Sequence, residues 1–363
     1  MRPIVAAIAR EPHGLFELQS LNIQEPTGSE ILVRTKASGI CHTDLLVRDG
    51  VFGPPLPAVA GHEGAGIVEA VGPAVNSIRP GDHVLLTQAS CGGCRSCRSA
   101  HPMNCEDFVR YNITGDRANG TKPYQEAVSG AFSGQSSFAT YMLAYETNGV
   151  VLPPDFPLAH AAPLGCGLMT GANSVFRVMA PLAGSSILVI GAGAVGMGAI
   201  MAAKIAGCGT IISVDLLSSR RDLAMELGAT HVVDGADSDL VKIISDITRG
   251  GADFAIDAVG LPATAANMVR ALRPGGHGVL LGAAGVGQTV ELDLMDLIFN
   301  RKIQGAIQGD QVPQVAVPSL ISLHMQGLFP FERILQFFPF EAINDAVEGM
   351  ENGSVVKPVL LFD

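Results

Sequence analysis

Two groups of soft side chains dominate the chemistry this sequence can do. The first lies between Cys41 and Glu63, reading Cys41-His42-Thr43-Asp44 at one end and Gly61-His62-Glu63 at the other. A thiolate and an imidazole suit a borderline-soft divalent ion such as zinc. Catalytic zinc takes three protein ligands and keeps a fourth position for water or substrate, so a third ligand must come from elsewhere in the chain. Cys166 is the best candidate. The second group is Cys91-Gly92-Gly93-Cys94-Arg95-Ser96-Cys97, with Cys105 further on. Four thiols this close together can fill a tetrahedral zinc site with no open position, a structural staple. An iron–sulfur cluster is the main rival, but a bacterial ferredoxin run brings its fourth Cys sooner and follows it with Pro. Here Glu106 follows Cys105. A redox dithiol, the other rival, needs only a pair of thiols.

A third chemistry belongs to Gly191-Ala192-Gly193-Ala194-Val195-Gly196. Such a glycine pattern alone is a weak signal. In this chain it follows a buried-strand pattern at 187–190 and opens a helical one at 197–206. The next apolar strand, 210–214, ends on Asp215. That is the context a dinucleotide site requires. Gly191, Gly193 and Gly196 permit the tight turn and let a pyrophosphate approach the helix N-terminus, where free N–H groups favour an anion. Asp215 accepts from ribose hydroxyls and repels a 2′-phosphate, which favours NAD over NADP. Arg220 and Arg221 are the residues that could argue for the phosphate.

The elements that must position these groups fall into two domains, the default for 363 residues. The chain is 48% hydrophobic and 16% charged, which supplies cores and argues against extended disorder. A net charge of −11 opposes binding to nucleic acid. Residues 4–36, 64–71 and 82–86 carry short, partly alternating apolar runs broken by Pro and Gly, the pattern of a β-rich, barrel-like domain. Residues 108–137 form a long polar loop, and loops of that length tend to be functional or to pack on a partner. Residues 160–179 have helical spacing, with Cys166 inside. Strand and helix then alternate (254–257, 263–272, 278–281), as in a doubly wound parallel sheet of α/β type. A helix at 318–326 and a strand at 358–362 return to the first domain. The boundaries are 1–167 for the β-rich domain with its thiol lobe at 91–105, 168–304 for the dinucleotide domain, and 305–363 for the return. The uncharged stretch 185–203 is long enough to span a bilayer, but its glycines suit a strand, turn and helix better. The opening apolar run is too short for a secretory h-region. That predicts a cytoplasmic, reducing setting in which the seven cysteines act as ligands or buried thiols.

Taken together, GICHTD, GHEGAGIVEAVG, the Cys91–Cys105 run and GAGAVG with Asp215 resemble the zinc-dependent medium-chain alcohol dehydrogenases over essentially the whole chain. GICHTDLLVRDG and the long loop after Cys105 are similar to aryl-alcohol (benzyl alcohol) dehydrogenases and relatives acting on allylic terpene alcohols. The resemblance implies a GroES-like catalytic domain and a Rossmann domain. It implies two zinc ions per subunit: a catalytic one on Cys41, His62 and Cys166, and a structural one on Cys91, Cys94, Cys97 and Cys105. Asp44 would fix the tautomer of His62, and Glu63 is the glutamate behind the metal. His42 and Lys357 fall where cations meet the pyrophosphate, Arg220 where a basic group meets the adenosine ribose, and Thr170 and Val195 where side chains pack on the nicotinamide.

The expected reaction is reversible hydride transfer from a primary aromatic or allylic alcohol to NAD+, giving the aldehyde, with Thr43 taking the alcohol's proton. Many relatives carry a terminal histidine for that proton at the position held here by Leu46. Arg48 stays protonated, so release directly to water is expected. Phe52, Thr87, Tyr111, Ala283 and Ile307 align with pocket-lining positions. A glutathione-dependent formaldehyde dehydrogenase is the alternative enzyme, with Arg110 and Arg117 as the nearby cations. A non-catalytic zinc- and nucleotide-binding protein is the alternative of another class. The loop after Cys105 favours a homodimer over a tetramer.

Overall fold

A computed structural model describes all 363 residues, Met1 to Asp363. The first strands are β1 (Arg2–Ala9), β2 (Glu17–Ile23), β3 (Glu30–Gly39), β4 (Ala58–Val59), β5 (Gly64–Val71), β6 (His83–Leu86), β7 (Tyr141–Tyr145) and β8 (Gly149–Val151). The middle of the chain gives β9 (Ser186–Ile190), β10 (Thr210–Asp215), β11 (His231–Asp234), β12 (Ala252–Asp257), β13 (Leu272–Leu280) and β14 (Lys302–Gly305). The tail adds β15 (Leu335–Pro339) and β16 (Lys357–Leu361). No helix is long and apolar enough to cross a membrane.

The chain divides into two compact units. One comprises Met1–Cys166, Gln311–Ser319 and Ile334–Asp363; the other comprises Gly167–Asp310 and Leu320–Arg333. The return to the first unit therefore comes in two pieces, where the sequence suggested one from 305 onward. Within the first unit a sheet runs β15-β16-β3-β5-β6-β8, with β7 also on β3, and a second runs β2-β1-β4. β3 is buried along most of its length on both faces, while β2, at an edge, shows polar residues to water. Antiparallel pairing of Val359 with Gly39 joins the C-terminal strand to the end of β3, immediately before Cys41.

The second unit is a six-stranded parallel sheet in the order β11-β10-β9-β12-β13-β14. Ile187, Leu188 and Val189 in β9 are wholly buried, as expected of a central strand covered on both faces. Ile190 pairs with Val214 on one side and Asp257 on the other, so the three strands end level. The strand order turns in opposite directions from β9 to β10 and β12, and this switch point sits where Gly191 begins.

The long polar segment after Cys105 is pinned rather than free. Asn112 bonds both backbone groups of Ala89, and Arg117 is buried on Glu30 and Thr27. A short helix, Phe108–Asn112, and a turn at Phe132–Gly134 lie within it, in short stretches that carry no periodicity to read.

Candidate active site

Backbone breaks bring the first group of soft side chains together. Cys41 is the N-cap of the helix His42–Arg48, with extended φ of −124° and ψ of 157°. Cys166 closes the short turn Ala162–Gly165 with φ of −144° and ψ of −86°, between short helical pieces, the second of the two forms the spacing allowed, one helix or two short ones. The ligating atoms of Cys41, His62, Glu63 and Cys166 all lie within 4.8 Å of one another. His62 Nε2 is 3.2 Å from Cys166 Sγ, and its Nδ1 is 2.7 Å from Asp44 Oδ1. The same carboxylate accepts the N–H of Gly61 at 3.0 Å and, through Oδ2, that of Cys41 at 2.9 Å. Asp44 thus ties both ends of the motif and fixes which imidazole nitrogen faces the thiols. Thr43 Oγ1 lies 3.8 Å from Cys41 Sγ.

The electrostatics of the cluster are those of a site built for a cation. A hydrogen bond from Cys166 pulls the Cys41 thiol well below its ordinary range, and His62 adds to this against the opposing effect of burial. The Cys166 thiol is pushed well up by the same bond and by burial. Burial works against a charged His62, but Asp44 overrides it and holds the imidazole well above its usual value. The protons held on Cys166 and His62 beside the Cys41 thiolate, in a dry site, are what a divalent metal displaces when it binds. The donor set of sulfur, sulfur and nitrogen, with one ring nitrogen anchored on a carboxylate, fits zinc.

Glu63 lies behind this cluster, its Oε2 2.5 Å from the ammonium of Lys357. Lys357 is only 2% exposed and also donates to the Ile40 carbonyl at 2.8 Å. The sequence suggested a pyrophosphate contact for Lys357, and here its ammonium is met by Glu63. A Cβ on Gly39 would fall 2.0 Å from Glu63 Oε2, so only glycine fits there.

Cys91, Cys94, Cys97 and Cys105 form a second set of mutually close thiols, all free. Cys94 and Cys97 sulfurs are 3.4 Å apart, and the N–H groups of Cys91 and Cys94 point at the sulfurs of Cys105 and Cys91, each at 3.3 Å. Backbone hydrogen bonds, that of Cys97 foremost, lower the Cys94 thiol to about 6, whereas burial raises Cys105 to about 12. Four sulfurs with amide donors suit a closed tetrahedral zinc.

In the second unit, Gly191 takes φ of +93° and Gly193 caps the helix Ala194–Ile205. A Cβ on Gly196 would meet the Gly191 carbonyl at 1.8 Å, and one on Gly171 would meet the Val195 carbonyl at 1.9 Å. The latter approach is made by the residue that follows buried Thr170. Asp215 Oδ2 accepts from Ala192 N at 2.8 Å and Oδ1 from Leu217 N at 3.0 Å, which aims the carboxylate at the glycine turn. The guanidinium of Arg220 lies over Gly193, its basicity lowered by burial with Asp215 opposing. Arg221 is taken up by Asp234 at 3.1 Å and by the carbonyls of Asp215 and Leu216.

The pocket-lining expectations divide. Thr87 is fully buried and joined to the His62 carbonyl through Gln135. Phe52 is partly exposed just after the helix that carries Thr43, and His42 is exposed in that helix's first turn. In the second unit, Ala283 and Ile307 are exposed beyond the ends of β13 and β14. Tyr111 packs edge-on to Tyr145, ring centroids 5.0 Å apart, and lines a separate crevice with Glu30 and Arg110. Its neighbours in that crevice are Tyr145, Ala118 and Asn119. Sequence reasoning missed Phe132, whose buried ring stands edge-on to the His62 imidazole at 5.5 Å. Gln135 was missed as well. Both sit in the aperiodic loop, and only its Gly-Ser punctuation hinted at a tight turn.

Family models match residues 27–155 as an alcohol dehydrogenase GroES-like domain and residues 194–323 as a zinc-binding dehydrogenase. The chain is 38% identical to a geraniol dehydrogenase of Castellaniella defragrans over 98% of its own length and 97% of that protein. It is 40% identical to the benzyl alcohol dehydrogenase of Acinetobacter calcoaceticus, with a TM-score of 0.96 and all of both chains covered. An alcohol dehydrogenase zinc-binding domain protein of Burkholderia ambifaria is 45% identical, with a TM-score of 0.96, over 100% of this chain and 99% of that one. With both domains matched and its soft ligands gathered as that chemistry requires, the chain belongs to the zinc-dependent alcohol dehydrogenase family.

Proposed function

We propose that this dehydrogenase oxidises primary aromatic and allylic alcohols to aldehydes with NAD+. The observation that carries the reading is the convergence of Cys41, His62 and Cys166 with Asp44 behind the imidazole. These three would hold the catalytic zinc, and Cys91, Cys94, Cys97 and Cys105 a structural one. Zinc at such a site acidifies a bound alcohol and supplies Lewis-acid stabilisation. The residues of the chain do the rest. Asp44 holds the imidazole in the tautomer that leaves Nε2 free for the metal. Thr43, beside Cys41, relays the proton of the alcohol hydroxyl, accepting it as its own hydroxyl proton passes on toward water. The net reaction moves one hydride from the alcohol carbon to the nicotinamide and one proton to solvent. Phe132 and Thr87 supply walls near the imidazole and exclude water.

Asp215 at the glycine turn, with Arg221 already occupied by Asp234, supports NAD over NADP. The names of the geraniol and benzyl alcohol relatives support the substrate class. The formaldehyde dehydrogenase alternative loses one of its two cations, because Arg117 is buried on Glu30 and Thr27. Edge strand β14 and the exposed apolar residues Leu294, Ile298 and Phe299 beside it support pairing with a second copy of the chain. Seven free thiols support a reducing, cytoplasmic setting.

A panel of primary alcohols assayed with NAD+ and NADP+, alongside a zinc count, tests the reading. It expects reduction of NAD+ by benzyl alcohol and geraniol and two zinc ions per chain. Preference for hydroxymethylglutathione, or full zinc occupancy without alcohol oxidation, would contradict it.

A further inference from the structure

Residues 131–136 make a turn that costs backbone strain, and holding Phe132 beside the imidazole accounts for only part of it. Ala131, Ser133 and Ser136 all adopt left-handed φ, at 50°, 51° and 52°, conformations that side chains other than glycine avoid. Such strain persists only where the surroundings over-determine it, and it clusters at functional sites. Here the surroundings are the residues leading into His62. Ser136 Oγ accepts from Phe132 N at 3.0 Å and donates to the Val59 carbonyl at 2.7 Å. Ser137 N donates to Gly61 O at 2.9 Å and Phe138 N to Ala60 O at 3.1 Å. The turn is laced to the three residues before the imidazole.

What the turn presents is Gln135, 1% exposed. Its Nε2 donates to the His62 carbonyl and to the Thr87 carbonyl, each at 3.0 Å, and its Oε1 accepts the Gly64 N–H at 2.9 Å. Both amide hydrogens and the carbonyl oxygen are thereby used, and the flipped amide would oppose like groups at all three contacts. No shorter side chain spans these partners, which come from separate parts of the chain. The same turn holds Phe132 edge-on to the imidazole.

We propose that Gln135 is a positioning residue, whose carboxamide sets the spacing between metal-side His62 and pocket-side Thr87 and so tunes both alcohol discrimination and metal retention. The proposal rests on the function proposed above. Breaking the bridge frees the Thr87 wall and the His62 loop to move independently. Displacements of that kind change selectivity without abolishing the reaction, because a change in pocket size discriminates only modestly between alcohols.

The test compares the full-length, zinc-loaded protein with Gln135→Met, which keeps length but not polarity, and Gln135→Glu, which sets a carboxylate oxygen against two carbonyls. Three readings are taken: the ratio of kcat/KM for benzyl alcohol to that for ethanol, the rate at which a chromogenic chelator takes each zinc, and the unfolding midpoint. The ratio should shift about tenfold, and one of the two zinc ions should leave about tenfold faster while the other is unaffected. Thr87→Ala should change the ratio less in the Gln135→Met background than in the wild type, since residues that act through one contact are not additive. A lowered midpoint with the ratio and both release rates unchanged would overturn the proposal, as would strict additivity with Thr87→Ala. If neither variant accumulates folded, Gln135→Asn, which keeps the amide but not its reach, carries the same readings. Should the wild type oxidise no alcohol, the functional reading falls, and the zinc-release comparison alone decides the role of Gln135.

Discussion

The ammonium of Lys357 meets the carboxylate of Glu63 at 2.5 Å, and neither side chain is open to water. A buried ion pair of this kind contributes little net stability, but breaking it leaves one charge stranded. Lys357→Met should therefore destabilise the protein by about 3–5 kcal/mol. The double variant Lys357→Met with Glu63→Gln should recover most of that loss. Denaturant unfolding of the wild type, both single variants and the double variant measures both effects, and losses that simply add in the double variant would show that the pair is not coupled.

Asp44 accepts from His62 Nδ1 and from the N–H groups of Gly61 and Cys41. Asp44→Asn keeps the shape but removes the charge that orients the imidazole. Zinc affinity at the Cys41–His62–Cys166 site should fall ~10–100-fold, with the four-thiol site unchanged. Competition with a chelator of known affinity reads the two sites separately.

Leu46 lies one turn after Thr43 on the same face of the helix His42–Arg48. Arg48, on Asp49 and Glu351, is no base. Leu46→His should add a proton acceptor titrating near the ordinary imidazole value of about 6.5. The neutral ring is the acceptor, so alcohol oxidation should gain a component that rises with pH through that range. An unaltered pH–rate profile would mean that another group already takes the proton.

Arg117 ties the long loop to β3 through Glu30 and Thr27, away from any role with substrate. Arg117→Met strands the Glu30 carboxylate and should cost about 3–5 kcal/mol of stability. The KM for alcohols should not change. A large rise in KM for a carboxylate-bearing substrate would instead favour the formaldehyde dehydrogenase reading.

What the sequence made legible were local patterns with a fixed mechanism. The four-cysteine run and Gly191 to Asp215 declare themselves because their spacing constrains the backbone directly, whereas Cys41 with His62 is a weak pair that gains meaning only from the motifs around it. Cys166 could be named only as a candidate, since its approach depends on a helical break that its apolar neighbours conceal. The enclosure of Lys357 was invisible for a different reason. It follows from β16 pairing with β3 across most of the chain, and such non-local pairing leaves no periodic trace. Tyr111, Phe132 and Gln135 belong to the aperiodic loop. The directions of Phe132 and Gln135 are set by left-handed Ala131, Ser133 and Ser136, and alanine and serine give no warning of that conformation.

The central claim is that two thiolates and one imidazole share a single metal ion. An anomalous-scattering map from crystals of the purified protein, recorded on both sides of the zinc absorption edge, tests it directly. The account predicts one peak bonded to Cys41, His62 and Cys166 and a second among Cys91, Cys94, Cys97 and Cys105. A fully metallated protein with no peak at His62, or with Cys166 turned away from the ion, would contradict it.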